Sequence, residues 1–231
     1  MALMAACIGA SAQGPAGEPP SEQPVRTLRD TPLTQSADGR QTLKYLVSCA
    51  LPAGARVRHA NGGDAVVLQG DLGLAPAWLD RGLDAAEELA VSACIFARTN
   101  HFARTVRISL RSDRPSAPAG LRADAPEQAA FDRFEAAFFG NLFAAQPRAY
   151  VCGPTLDVGQ RNARERWLAS HSRVCSLVIG QHAGRDITAC GFIHVGECVA
   201  PNLTQEGIDH ASSAIGVFLP AADGPGLDRM P

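Results

Sequence analysis

The sequence is poor in lysine and in aromatic residues, and it has no long apolar stretch. Lys44 is the single lysine, so arginine supplies the other cations, and aromatic residues make up 6% of the chain. Its apolar runs fall short of the roughly 18 residues that a bilayer-spanning helix needs, which excludes a span of that kind. The formal net charge of −2 argues against a nucleic-acid partner, because phosphate binding needs a basic face.

Sequence signatures of common enzyme classes are also missing. The chain contains no G-x-S-x-G, H-E-x-x-H, Walker or G-x-G-x-x-G pattern, and no C-x-x-C pair. We therefore expect no cofactor and no metal. What the chain does have is 46% hydrophobic residues over 231 positions, which is enough for one domain with a core of its own.

The seven cysteines divide into one and six. Cys7 stands alone in a short apolar N-terminus. An even set of six further along the chain is typical of an exported protein with three disulfides. The six residues are Cys49, Cys94, Cys152, Cys175, Cys190 and Cys198.

The predicted pairing joins neighbours in the sequence: Cys49–Cys94, Cys152–Cys175 and Cys190–Cys198. The first pair has a structural argument, because Cys49 lies on the inward face of a predicted strand and Cys94 on a buried helix that must pack on that sheet. The other two pairs rest on proximity alone, among the fifteen connectivities that six cysteines allow.

Two other roles for the cysteines stay open. Cys190, His194 and Cys198, with His182 nearby, are zinc-ligand types, although their spacing matches no common zinc module. Cys94 with a histidine would make a nucleophilic pair, but buried helical cysteines are usually inert. In an oxidising compartment these thiols would form disulfides first.

The two ends of the chain predict processing and disorder. Residues 1–12 are expected to be the remnant of a signal peptide, either cut after Ala12 or lipidated at Cys7, which follows Met4-Ala5-Ala6. A cytosolic, unprocessed terminus is the alternative. Residues 13–40, rich in Gly, Pro and Ser, are predicted to be a disordered linker. A single α+β domain is expected over 41–220, followed by a disordered tail over 221–231.

Period-two alternation predicts the strands. Residues 42–49 alternate with Leu43 and Val47 on one face, which favours a half-buried strand. The Asn61–Asp64 turn, NGGD, predicts a hairpin between 56–59 and 65–69. Residues 105–111 alternate in the same way. Shorter strands are expected at 149–152, 177–179 and 214–219.

Capping patterns predict the helices. Asp84 and Glu87 have capping-box spacing, which predicts a buried helix ending near 97–100. Asp124, with a proline in the first turn, opens a second helix that we expect to carry a stripe of phenylalanines at 131, 134 and 138. Asp157 opens a third, weaker helix through 168. Residues 180–212 show little periodicity.

These elements predict an α+β fold. A mostly antiparallel sheet should pack against two or three helices, because strands and helices do not alternate strictly. The C-terminal part is expected to be a loop-rich lobe pinned by disulfides.

Three carboxylates are the candidates for catalysis in an exported hydrolase. Glu135 lies among phenylalanines, which would raise its pKa. Asp71 and Asp80, with Trp78 between them, would suit a sugar-binding loop. The simpler interpretation, which we prefer, places Glu135 on a solvent edge and packs Trp78 on the core.

Several ordered segments resemble a group of uncharacterised exported and lipoprotein-like proteins from myxobacteria and related high-GC bacteria. The resemblance spans roughly 45–152 and, more loosely, 190–192. It implies export and disulfides, and it implies no activity. The segments are YLVSCALPAG at 45–54, LGLAPAW at 72–78, VSAC at 91–94, ARTN at 97–100, ISLR at 108–111, FFGNLF at 138–143, YVC at 150–152 and CGF at 190–192.

The sequence therefore favours an exported cell-envelope protein that acts as a non-catalytic binding or structural module. We expect it in the periplasm, anchored to the outer membrane through a lipid, or secreted. The expected partner is an envelope component of unknown identity, with no nucleic acid and no transmembrane span, and the chain is expected to be a monomer. A secreted hydrolase that acts on a polymer through carboxylates is the alternative.

Overall fold

The computed structural model describes residues 26–27, 36–61, 64–102, 104–114, 117–198 and 210–220. These residues form four α-helices and two β-sheets, so the predicted α+β class is confirmed. Among the described helices, none combines the length and the apolar character needed to cross a membrane. Cys7, the predicted signal remnant at 1–12 and the predicted tail at 221–231 lie outside the described residues.

Four side chains cap the four helices at their N-termini. In each case the side-chain oxygen accepts a hydrogen bond from a backbone N–H in the first turn, and the second and fourth helices carry complete capping boxes. The caps are Ser36, Asp84, Asp124 and Asp157. The helices are α1 (Ala37–Ala50), α2 (Ala85–Arg98), α3 (Ala125–Ala130) and α4 (Val158–Ser170).

Ten strands make up the two sheets. Seven of them form a large sheet in the order β4-β10-β5-β6-β9-β8-β7, in which only β6 and β9 run parallel. The remaining three form a small sheet in the order β1-β2-β3. The strands are β1 (Arg26–Thr27), β2 (Arg56–Asn61), β3 (Asp64–Gln69), β4 (Ser109–Arg111), β5 (Arg133–Asn141), β6 (Arg148–Gly153), β7 (Val178–His182), β8 (Arg185–Thr188), β9 (Ile193–Glu197) and β10 (Ile215–Leu219).

The main core lies between the large sheet and α2. Every residue from Ala90 to Ala97 is buried, as expected for a helix covered on most sides. Phe192 joins the layers, with its ring centroid 5.5 Å from that of Phe96 on α2 and 5.7 Å from that of Phe138 on β5. Helix α1 packs against α2 and against β3 of the small sheet.

The predicted strand over 42–49 is wrong, because this segment lies in α1. The apolar side chains that become buried are Leu43, Leu46, Val47 and Ala50, which are spaced three or four residues apart. Leu43 and Val47 fit both the alternation of a strand and the three-to-four spacing of a helix, so this sequence pattern does not distinguish the two structures. Helix α1 also begins inside the predicted linker, and β1 pairs with β2, so the folded chain extends N-terminal of residue 41.

The predicted phenylalanine helix is also wrong beyond its first turn and a half. Helix α3 ends at Ala130, and the phenylalanines at 134 and 138 lie on β5. Phe138 and Phe139 are both buried although they point to opposite faces, because α2 covers one face of β5 and a second apolar cluster with Tyr150 covers the other. A strand that is buried on both faces loses its period-two signal.

The remaining element predictions hold in outline. The hairpin of β2 and β3, helix α2, helix α4 and the strands β6, β7 and β10 lie where the sequence predicted them. The strand predicted over 105–111 is confined to its last three residues, β4. In the C-terminal part, strands β8 and β9 extend the large sheet within a segment that shows little periodicity in the sequence.

Candidate functional site

The three disulfides confirm one predicted pair and correct two. Cys49–Cys94 joins α1 to α2, with Cα atoms 6.0 Å apart. The other bridges are Cys152–Cys198 and Cys175–Cys190, so the predicted pairs Cys152–Cys175 and Cys190–Cys198 are wrong. The zinc and nucleophile alternatives lose their thiols, because Cys94, Cys190 and Cys198 each belong to a disulfide.

The parallel pairing of β6 and β9 explains why pairing by sequence proximity failed. Parallel neighbours in a sheet come from distant parts of a chain. Gly153 at the end of β6 lies opposite Glu197, and the Cys198 N–H donates to the Gly153 carbonyl at 2.9 Å. Cys152 and Cys198 therefore meet across the two strand ends.

The three carboxylates proposed for a hydrolase are not brought together. The side chain of Asp71 is 54% exposed and pairs with Arg98 at 2.6 Å, and Asp80 is exposed on its loop. Glu135 is fully buried and pairs with Arg173, so its predicted position on a solvent edge is wrong. Trp78 packs against the main core, in agreement with the simpler interpretation of this loop.

Glu135 and Arg173 form a buried ion pair that also ends α2. The Arg173 Nε donates to Glu135 Oε2 at 2.8 Å, and its two terminal nitrogens donate to the carbonyls of Ala97 and Thr99, each at 3.0 Å. These carbonyls are among those that a helix leaves unsatisfied at its C-terminus. Burial raises the pKa of Glu135, and the nearby Arg173 charge opposes this shift.

A cleft of about 410 Å³ lies between α4 and the ends of β6, β8 and β9. We call it the His194 cleft, because His194 is the one imidazole among its lining residues. The lining is mostly polar and contains both signs of charge. Its residues are Gly153, Pro154, Leu156, Arg161, Arg164, Glu165, Ser176, Leu177, Val178, Asp186, His194, Gly196 and Glu197.

Two disulfides hold the walls of the His194 cleft. Cys152 precedes Gly153 and Cys198 follows Glu197, so the first bridge closes the end formed by β6 and β9. Cys175 precedes Ser176, so the second bridge anchors the turn after α4. The cleft is therefore built into the most strongly cross-linked part of the described chain.

His194 presents a single donor to this cleft. Its Nδ1 accepts a hydrogen bond from the Gly196 N–H at 3.3 Å, so the neutral ring carries its proton on Nε2. Nε2 lies beside Gly153, 3.6 Å from the position that a Cβ on that glycine would take. Partial burial lowers the pKa of His194, Asp186 opposes the shift, and the Arg164 and Arg161 charges add to it.

The charged groups of α4 share one face. Arg161, Arg164 and Glu165 are spaced three and four residues apart, which places them together above the cleft. Arg164 is committed to the fold, because its guanidinium donates to the Glu135 carbonyl and contacts Ser176 Oγ at 3.4 Å. Arg161 makes one long bond of 3.5 Å to the Leu156 carbonyl and no ion pair with a described carboxylate.

Ser176, His194 and Asp186 line the same cleft but do not have the arrangement of a catalytic triad. In a triad the carboxylate accepts from the Nδ1–H of the histidine. Here Nδ1 accepts from Gly196, and Asp186 accepts from Gln181 at 2.9 Å. Ser176 is 4% exposed and lies against Arg164. The geometry suits binding of a ligand better than nucleophilic attack.

Sequence reasoning found only one residue of this cleft, His194, and gave it a different role. The others are dispersed over five elements and the loops between them. The available sequence signal, three charges on one face of α4, is common on solvated helices. No protein-family description, curated protein or solved structure matches this chain.

Proposed function

We propose that this protein is an exported cell-envelope protein whose role is to bind a small polar ligand in the His194 cleft. Three disulfides support export, because such bonds persist in oxidising compartments. Within this proposal the protein stays in the envelope, either anchored through a lipid on Cys7 or free after cleavage near Ala12.

The observation that carries the proposal is a cross-linked cleft with polar groups that have no partner among the described residues. Among the described residues, no acceptor takes the His194 Nε2–H, and no carboxylate pairs with Arg161. Glu165 is exposed on the same helix face. The cleft volume of about 410 Å³ falls within the range of small-molecule sites.

The charges select a ligand that carries both signs. A carboxylate would accept from Arg161 and from His194 Nε2–H, while an ammonium group would lie against Glu165. A short peptide with free ends has both groups. Because two disulfides fix the walls, the cleft would lose little conformational entropy on binding, which favours affinity.

The test is a calorimetric titration with the dipeptide Ala-Ala and with its acetylated, amidated form. Hydrogen bonds to charged groups are worth about 1.5–3 kcal/mol, which is roughly a tenfold to hundredfold change in Kd. We expect the unmodified protein to bind the blocked peptide at least tenfold more weakly than the free peptide. The Arg161→Gln variant should bind the free peptide at least tenfold more weakly than the unmodified protein does.

Arg166→Gln is the matched control for this titration, because Arg166 is exposed on the same helix and does not line the cleft. Its affinity should equal that of the unmodified protein. Equal binding of free and blocked peptides, or no binding of either, would contradict the proposed ligand chemistry.

A further inference from the structure

A second concave surface lies between α1, the C-terminal end of α2 and residues 104–110. It has a volume of about 360 Å³ and shares no lining residue with the His194 cleft. None of its lining residues is Asp or Glu. We call it the basic groove, after the five cations that line it: Lys44, Arg98, Arg104, Arg107 and Arg173.

Two of the five cations are used by the fold. Arg98 donates to Ser48 Oγ and to Asp71, each at 2.6 Å. Arg173 is bound to Glu135 and to the last carbonyls of α2. Because Arg173 covers those carbonyls, the negative end of the α2 dipole is neutralised where it meets the groove.

The other three cations are exposed and form no ion pair within the described part of the chain. Lys44, Arg104 and Arg107 make no ion pair with any described carboxylate, and the Arg107 guanidinium lies 5.5 Å from the centre of the Phe131 ring. Three like charges around one groove repel each other, and an anion placed among them would relieve that repulsion.

Asn100 adds a buried donor to the same groove. Its Oδ1 accepts from the Phe102 N–H at 3.0 Å, which fixes the orientation of the amide. Its Nδ2 is buried and has no acceptor among the described residues. A buried donor without a partner is costly, so a ligand oxygen at this position would be stabilised.

We propose that the basic groove binds the phosphate group of a phosphorylated ligand. Phosphate suits the site better than a single carboxylate, because it offers three acceptor oxygens and up to two negative charges to three cations and an amide. A sugar phosphate and a phospholipid headgroup share this chemistry. The site is independent of the His194 cleft, so either proposal can fail alone.

The experiment titrates the full chain with inorganic phosphate and with glucose 6-phosphate, using glucose as the uncharged comparison. In parallel, phosphatidylcholine vesicles with and without phosphatidylglycerol are sedimented with the protein. We expect binding of the phosphorylated probes that weakens as salt is raised. Binding of glucose 6-phosphate alone assigns a soluble ligand, and binding to the phosphatidylglycerol vesicles assigns a headgroup.

The deciding variant is the triple change Lys44→Ala, Arg104→Ala and Arg107→Ala. Because all three side chains are exposed, we expect a folded protein that binds the phosphorylated probe at least tenfold more weakly. Arg104→Gln alone serves as a second variant with the smallest effect on the fold, and it should weaken binding about threefold.

The matched control removes three exposed arginines elsewhere, at Arg58, Arg166 and Arg185. It changes the net charge by the same amount, so an effect of overall charge would appear in both triple variants. Unchanged binding in the groove variant, equal loss in the control, or no binding of any phosphorylated probe overturns the proposal.

Discussion

At the scale of the residue, Arg173 connects more of the fold than any other side chain described above. Its guanidinium neutralises Glu135 on β5 and caps the end of α2, and it is 2% exposed. A buried ion pair is weak evidence for stability in itself, because desolvation offsets the attraction. Removing one partner is a different matter, since the other charge stays buried.

The change Arg173→Met tests this directly. It leaves the Glu135 carboxylate without its counter-charge and frees two carbonyls of α2, so the free energy of unfolding should fall by about 3–5 kcal/mol. Urea denaturation measures the difference. The double variant with Glu135→Gln should recover part of the loss, and a single-variant cost below about 1 kcal/mol would show that the pair is not structurally coupled.

The pH dependence of the Arg173→Met variant has a definite sign. Burial raises the pKa of Glu135 in the folded protein and Arg173 opposes this shift, so the variant without Arg173 has a folded-state pKa further above the unfolded value than the unmodified protein has. The stability that this proton contributes to the variant is therefore fully present below the unfolded pKa of Glu135, and it is lost as pH rises through the folded pKa. Consequently the deficit of the variant should shrink as the solution is acidified.

At the scale of the element, turns and helix caps could be predicted from the sequence, whereas hydrophobic periodicity was a poorer guide to strands and helices. Asp84 and Asp157 predicted the starts of α2 and α4, because a capping box is a local hydrogen-bond pattern that needs no tertiary partner. The residue spacing in α1 fits both a strand and a helix, and only packing on α2 decides between them. In β5, burial on both faces removed the alternation that identifies a strand.

The candidate site was less predictable than the fold, for a physical reason. His194 and Arg161 line the same cleft only because β9 joins β6 in parallel and α4 lies on the other side of that cleft. Parallel pairing brings together residues distant in sequence, and no local pattern announces it. The same pairing misled the prediction of the Cys152 bridge.

Gly140 allows the close approach of β5 to β6 near the C-terminal end of β5. It has φ +137° on β5, in a region that residues with a side chain rarely adopt, and a Cβ there would clash with the Arg148 carbonyl of β6. We expect Gly140→Ala to lower the free energy of unfolding by at least about 2 kcal/mol, as measured by denaturant unfolding. Gly180→Ala is the control, because a Cβ on that β7 glycine would meet open space; equal effects of both changes would refute the role of Gly140.

At the scale of the whole molecule, the three disulfides cross-link two separate regions of the chain. Cys49–Cys94 closes 45 residues around the two N-terminal helices. Cys175–Cys190 lies nested inside the segment closed by Cys152–Cys198, so the region around the His194 cleft is cross-linked twice. On the chain-entropy account each of the two longer loops contributes about 4 kcal/mol.

Peptide mass mapping without reduction should recover three linked peptides, with the connectivity given above. Thiol reduction should then lower the free energy of unfolding by about 3–4 kcal/mol per bridge. A peptide that joins Cys152 to Cys175 would contradict this connectivity. In protein exported from its own host, the same map reports the state of Cys7: an acylated peptide supports the proposed anchor, and a new terminus at Gln13 supports cleavage.

The position of β10 has a consequence for how the molecule is made. This strand is the last described element in the chain, yet it lies between β4 and β5 and pairs with both. Until residues 215–219 have emerged from the ribosome, β4 and β5 each lack a neighbour and the central sheet stays open. The central sheet can therefore close only after its last described strand has been synthesised, although β4 and β5 are made much earlier.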